Sequence, residues 1–250
     1  MPLAAFTLTL DNGVTAPAVR VPPGGDLSGL AGALALPTCC GAVALLGGAS
    51  RFDVPEYRGI RAQVSRLLAE LADLAASRGV LIIDGGTPFG VMRLIGQARA
   101  DQGGGFPLVG VAPAGQVTWA GLSSGAGGET ALDVNHSAFV LVEADNWGDE
   151  GGTLVAAAYT LAGDHPVLGI LINGGDIARW DVWVYLQRGG KLVVIEGSGR
   201  FADAVAAAVR EGRSDDPMMQ TVLATGRVHL FPLSSPSGAF APWLRRLASW

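Results

Sequence analysis

The apolar positions of this chain follow two different periods. Over residues 6–21, Phe6, Leu8 and Leu10 alternate with Thr7 and Thr9, Asp11-Asn12-Gly13 supplies a turn that tolerates positive φ, and Val19 and Val21 resume the alternation. That pattern predicts an N-terminal hairpin. From residue 42 the apolar runs become continuous and stop at small or glycine-rich turns. Residues 42–46 run into Gly47-Gly48, 80–83 into Asp84-Gly85-Gly86, 167–172 into Asn173-Gly174-Gly175, and 192–195 into Glu196-Gly197-Ser198-Gly199-Arg200. Continuous rather than alternating runs mark strands buried on both faces.

Helical spacing follows these runs. The clearest stretch covers residues 57–78, where Ile60, Val64, Leu67, Leu68, Leu71 and Leu74 form one stripe, Arg61, Arg66, Glu70 and Asp73 lie off it, and Gly79 is placed as a C-cap. Residues 91–99, 153–162, 177–187 and 201–211 repeat the pattern with less contrast. Residues 228–231 read as a last strand and 241–250 as a closing amphipathic helix, with Trp243, Leu244 and Leu247 beside Arg245 and Arg246. The alternation predicts an α/β fold, a doubly wound and mainly parallel sheet with helices on both faces plus the hairpin. Residues 1–250 are read as one domain: 1–37 the hairpin and a short helix, 42–211 the core, 226–250 the last strand and closing helix. Residues 101–106 and 123–129 are glycine-rich loops.

Composition narrows the function classes. The formal net charge is −5 and Lys191 is the sole lysine, so no basic face for nucleic acid is expected. Cys39 and Cys40 are adjacent and poorly placed to bridge each other, which suits a reducing compartment and gives the cytoplasm as the expected location. Residues 1–10 carry no cation ahead of their apolar stretch, so no signal peptide is expected. Residues 27–50 are uncharged over a length that could span a bilayer, but Pro37, Thr38 and five glycines break the stretch into a short helix and a strand. It is read as buried core, without membrane insertion.

In an open parallel sheet the ligand crevice lies outside the carboxyl ends of the strands, where the glycine turns gather. Residues without a Cβ let the backbone approach a ligand, and a helix starting there presents unpaired N–H groups and positive dipole to an anion. Gly197-Ser198-Gly199 adds a small nest of donors and Arg200 a fork suited to phosphate or carboxylate, although a plain helix start with a surface arginine has the same pattern. Leu132-Asp133-Val134-Asn135-His136-Ser137 precedes the run 138–142 and reads either as a capped turn with a structural histidine or as part of the site. Residues 143–152, with Asp145, Trp147, Asp149 and Glu150, read as a solvated acidic loop without cation-loop spacing. His136, His165 and His229 lack metal-ligand spacing, and residues 196–199 lack the elbow of a serine hydrolase, so neither metal nor cofactor is expected.

Taken in order, Gly47-Gly48-Ala49, Ile83-Asp84-Gly85-Gly86 with Gly90-Val91-Met92, Val109-Gly110-Val111-Ala112-Pro113, the Leu132 to Ser137 motif, Asn173-Gly174-Gly175 and the Glu196 to Arg200 turn resemble the cytosolic N-terminal domain of melastatin-type TRP channels. That domain belongs to the SLOG superfamily, whose bacterial relatives of this kind are LSDAT domains. The resemblance runs over residues 42–208. It implies a Rossmann-like fold that binds nucleotide-derived ligands, in some channels ADP-ribose or a cyclic relative. Carried over by position, it implies phosphate-facing groups at Gly47, Gly48, Ala49, Gly85, Gly86, Thr87, Gly174, Gly175 and Arg200, with Asn135 and His136 in a motif that also fits a structural role. Gly90, Asp176, Gly197, Ser198 and Gly199 complete the candidate ligand-binding set. The channels often carry a basic helix after the strand at 140–143. This chain has Thr153-Leu154-Val155-Ala156-Ala157-Ala158-Tyr159 there, so a second arginine clamp is not expected.

The function these readings favour is a cytosolic sensor of a nucleotide-derived small molecule, with output through a homo-oligomer or an effector protein. Two alternatives stand beside it. The related LOG proteins remove a ribose phosphate from a nucleotide base and carry a Gly-Gly-x-Gly-Thr-x-x-Glu signature. Here Gly174-Gly175-Asp176-Ile177-Ala178-Arg179-Trp180-Asp181 keeps the glycine pair and puts Asp181 at the acid position, while Ile177 and Ala178 replace the glycine and threonine and the shorter aspartate loses reach. Asp181 is the catalytic candidate of such an N-glycosidic hydrolase. The other alternative is a non-catalytic interaction module.

Overall fold

The computed structural model describes residues 3–122 and 128–250. Five residues of the second glycine-rich loop, 123–127, lie outside the described residues. In chain order the strands are β1 (Ala5–Thr9), β2 (Thr15–Val21), β3 (Gly41–Gly47), β4 (Val80–Asp84), β5 (Leu108–Pro113), β6 (Val117–Thr118), β7 (Thr130–Ala131), β8 (Ala138–Val142), β9 (Val167–Ile172), β10 (Lys191–Glu196) and β11 (Val228–Pro232). The helices are α1 (Leu30–Ala33), α2 (Arg58–Arg78), α3 (Gly90–Asp101), α4 (Gly151–Ala162), α5 (Asp176–Gln187), α6 (Arg200–Glu211), α7 (Pro217–Ala224) and α8 (Phe240–Ala248).

Nine strands form one sheet in the order β1-β2-β8-β5-β4-β3-β9-β10-β11, and β6 pairs with β7 in a small second sheet. Among the described residues the β1–β2 ladder is antiparallel, with Leu8 opposite Ala16, and the other ladders are parallel, apart from an isolated antiparallel bridge between Thr9 and Ala120. The expected hairpin is therefore present, and β2 also pairs in parallel with β8, so the hairpin extends the main sheet. Strands β4, β5 and β8 are buried at every position, which is why their sequences are unbroken apolar runs.

Successive strand residues serve opposite cores. Val43 and Ile82 meet Leu68 and Leu71 of α2, Ile95 of α3 and Leu244 of α8 on one face. Ala44, Leu81 and Ile83 meet Val155 of α4, Val182 of α5 and Val205 of α6 on the other. The α/β architecture with helices on both faces is as the pattern predicts, and α2 ends at Gly79, whose φ of 65° and N–H bond to the Ala75 carbonyl make the expected C-cap. Leu68 and Leu71 are fully buried, each contributing roughly 1.5–3 kcal/mol of hydrophobic stabilisation. Helix α7 lies in an interval that the periodicity leaves unassigned, although Asp216 accepting from the Met218 and Met219 amides, with Pro217 at the first turn, is a regular helix start. Among the described residues no helix is long and apolar enough to cross a membrane, and residues 27–50 divide into α1 and β3.

The topology places the site. From β3 the chain steps to β4 and β5 on one side, and after β8 it crosses over α4 to β9 on the other side of β3. The strand order thus reverses at β3 and β9, and a crevice forms outside their carboxyl ends.

Candidate functional site

A cleft of about 420 Å³ opens at that reversal, a size suited to a small-molecule ligand. Gly47, Gly48, Ala49, Ser50 and Arg51 line it from the turn after β3, and Gly85, Thr87 and Phe89 from the turn after β4. Trp147 and Glu150 enter from the loop before α4, Gly175, Asp176, Ile177, Ala178 and Asp181 from α5, and Arg200 from the start of α6. Of the residues expected from sequence, Gly47, Gly48, Ala49, Gly85, Thr87, Gly175, Asp176, Arg200 and Asp181 are thus brought together. Gly86, Gly90, Asn135, His136, Gly174, Gly197, Ser198 and Gly199 are not among the lining residues.

Local bonding explains the division. The expected free amides at the start of α3 are already engaged: Gly90 N–H donates to Asp53 Oδ2 at 2.9 Å and Val91 N–H to the Gly48 carbonyl at 3.0 Å. Of the donor nest expected at 197–199, the Gly197 and Ser198 amides are occupied internally, the latter by the Ile195 carbonyl at 3.3 Å. Gly197 N–H donates to Asp203 Oδ1, and the Ser198 hydroxyl accepts the Asn173 N–H at 2.8 Å while donating to the Ile195 carbonyl at 2.6 Å. These bonds brace the turn after β9 against the turn after β10, which positions Arg200.

The beginning of α5 differs. Gly175 brings no side-chain cap, and the amides of Asp176, Ile177 and Ala178 have no protein acceptor among the described residues. The guanidinium of Arg200 lies over this helix end: a Cβ on Gly175 would sit 2.6 Å from Arg200 Nη2. Arg200 itself adopts φ 52°, a left-handed conformation that costs a non-glycine residue of order 1–3 kcal/mol and is common in binding sites.

His136 lies behind the cleft. Its Nε2 is 2.8 Å from Asp84 Oδ1 and its Nδ1 3.1 Å from Asp133 Oδ1, with the ring fully buried. Burial alone pushes its pKa down, but the Asp84 charge and hydrogen bonds to both carboxylates outweigh burial and raise it to about 9. At neutral pH it is therefore an imidazolium donating from both nitrogens. The Asn135 N–H donates to Asp133 Oδ1 at 2.9 Å, so this segment has the geometry of the capped turn.

One expectation is corrected. The loop 143–152 is not wholly solvated, because Glu150 at its end is 7% exposed and Trp147 lies against the cleft. Glu150 Oε2 accepts the Gly148 N–H at 2.7 Å, and burial raises its pKa. Asp181, 8% exposed, takes no hydrogen bond from the described residues, and its Oδ1 is packed where a side chain on Gly151 would stand. Burial first, and the Glu150 charge second, push Asp181 up to about 8. Arg51, Phe89, Trp147, Glu150 and Ile177 are cleft residues that motif reading missed. The usable signal was positional, since each belongs to a strand-to-helix turn or helix start at the carboxyl side of the sheet.

The fold and cleft define a Rossmann-like α/β protein with its crevice at a topological switch point. The family described as "SLOG in TRPM, prokaryote" matches residues 40–241, and the chain belongs to it. Transient receptor potential cation channel subfamily M member 2 of Mus musculus is 27% identical over 203 residues, and the Rattus norvegicus protein 26% over the same length. The match covers 66% of this chain but only 13% of each channel subunit. The X-ray structure of the structural-genomics target TM1055 superposes with a TM-score of 0.56 at 17% identity, covering 84% of this chain and 99% of that one, which shows the shared fold.

Proposed function

We propose that this chain is a sensor domain that binds a nucleotide-derived ligand, such as ADP-ribose or a cyclic relative, in the switch-point cleft. The observation that carries this reading is the Arg200 guanidinium seated on Gly175 beside the uncapped first turn of α5. Guanidinium and open amides together are what a phosphate requires. Arg51 adds a second cation to the lining, the cation-free start of α4 notwithstanding, and Phe89 and Trp147 offer aromatic surface to a base. A cytoplasmic location and output through a homo-oligomer or effector protein belong to the same proposal.

The magnitudes are adequate. Hydrogen bonds to charged groups contribute about 1.5–3 kcal/mol and open helix amides about 0.3–1 kcal/mol, so a diphosphate held by both supplies a large share of the roughly 8 kcal/mol of micromolar binding. Calorimetry with ADP-ribose, cyclic ADP-ribose, NAD and AMP tests the reading. At least one is expected to bind, and Arg200→Ala to weaken it about tenfold or more. Binding that survives the substitution unchanged removes Arg200 from the site.

A second reading, N-glycosidic hydrolysis, is favoured by one observation: Asp181 lies on the same cleft buried and without a hydrogen-bond donor among the described residues, surroundings that push its carboxyl up to about 8. A protonated acid beside a bound nucleotide is a general-acid candidate. Incubation with nucleoside monophosphates and assay for free base decides it. Binding without base release excludes hydrolysis.

A further inference from the structure

We propose that Asp181 and Glu150 form a proton-linked gate on the cleft: an anionic ligand binds while the pair carries one proton, and loss of that proton weakens binding. The inference rests on the reading of the cleft as an anion site and adds its regulation.

The geometry isolates this pair. Glu150 precedes α4 and Asp181 lies in the second turn of α5, and these two helices pack together with both carboxyls on the cleft. Among the described residues Asp181 has neither a donor nor a cation of its own. Its Oδ1 is buried against Gly151 without a partner, and Arg179, on the same helix, is engaged by Asp216 and Met218. The other ionisable groups on the cleft are Asp176, Arg51 and Arg200, and Asp149 adds negative charge beside Glu150. Loss of the proton adds one negative charge to the cleft, and in a partly enclosed site that charge opposes a phosphate more strongly than it would in water. Burial and the Glu150 charge hold the Asp181 proton up to about 8, so the gate operates just above neutrality.

The test is calorimetry of the full chain with ADP-ribose from pH 6 to pH 9, on wild type, Asp181→Asn and Glu150→Gln, with inorganic sulfate as a second probe followed by chemical-shift titration. Both probes keep constant charge across this range. The wild-type Kd is expected to rise about tenfold between pH 7 and pH 9 as one proton is lost, and that of Asp181→Asn by markedly less, its residual slope being the contribution of His136, which lies behind the cleft wall and loses its proton near 9. Glu150→Gln should move the fall in affinity to lower pH, because the neighbouring charge no longer opposes ionisation of Asp181. At pH 8, heats compared in two buffers of different ionisation enthalpy should show proton uptake on binding to wild type and none with Asp181→Asn. Equal pH slopes in wild type and Asp181→Asn overturn the gate. If ADP-ribose binds without pH dependence, the nucleotide reading stands and the gate falls; if sulfate alone binds, with the expected slope, the gate stands and the nucleotide reading falls. Binding of neither probe at any pH overturns both.

Discussion

His136 Nε2 lies 2.8 Å from Asp84 Oδ1, and that contact fastens the loop before β8 to the carboxyl end of β4. The same Asp84 oxygen accepts the Gly86 N–H at 2.8 Å, and the Gly86 carbonyl accepts the Asp133 N–H at 2.9 Å. Gly85 and Thr87, on either side of Gly86, line the cleft. A charged cluster with no exposed ring atom thus braces one wall of the site from behind.

This bracing depends on a proton. The folded His136 pKa of about 9 lies above its ordinary 6.5, so its contribution to stability is complete below pH 6.5 and disappears as pH rises through 9. His136→Ala is expected to cost about 3–5 kcal/mol at pH 7, because Asp84 and Asp133 stay buried without their cation. At roughly 2–4 °C per kcal/mol, that loss is readily measured in thermal melts. Between pH 7 and pH 10 the wild-type melting temperature should fall more than that of His136→Gln. Parallel curves would remove the imidazolium from the account.

Gly90 tests the close packing behind the turn after β3. Its φ is 52°, and an added Cβ would collide with the Gly48 carbonyl, a backbone atom that cannot rotate away. Gly90→Ala is therefore expected to destabilise by about 3 kcal/mol or more, combining left-handed strain with overpacking. Chemical denaturation measures it, and a loss under 1 kcal/mol contradicts the geometry.

The strands were legible because burial on both faces demands the uniform apolar runs seen at β4 and β8, and α2 because one stripe of aliphatic residues meets one face of the sheet. Helix α7 was not, since it buries little beyond Met219 and Val222 and gives no stripe. In the site, the glycine turns could be located from sequence, but not which amides remain open. Gly90 is capped by Asp53, 37 positions away, and His136 meets Asp84 across 52 positions. Such pairings arise only from packing. A loop carboxylate such as Glu150 reads as solvated from sequence, and its burial depends on α4 lying against α5.

Gly175 offers the opposite case to Gly90. Its φ of −134° suits any residue, and the atom that a Cβ would meet is the end of the flexible Arg200 side chain. Gly175→Ala should therefore change stability by less than about 1 kcal/mol while displacing the guanidinium from the start of α5. ADP-ribose affinity is expected to fall about tenfold, the cost of one charge-assisted contact, with the melting temperature nearly unchanged. An alanine variant that binds like wild type would mean that the seat of Arg200 on Gly175 is irrelevant to recognition.

Asp181 separates stability from binding. Its unfolded carboxyl ionises near the ordinary 3.8 and the folded one near 8, so the native state holds a proton that the unfolded chain releases between those values. Stability associated with that proton is complete below pH 3.8 and is lost as pH rises through 8. Asp181→Asn removes the ionisation but keeps the shape. The variant and wild type should melt alike near pH 4, and the variant should be more stable by about 5 kcal/mol at pH 8, the linkage cost of a carboxyl held from 3.8 up to about 8. Because Oδ1 has no partner to lose, the amide breaks no hydrogen bond on entering. A variant less stable than wild type at pH 8 would show that the carboxylate is satisfied in a way that the Gly151 contact does not reveal.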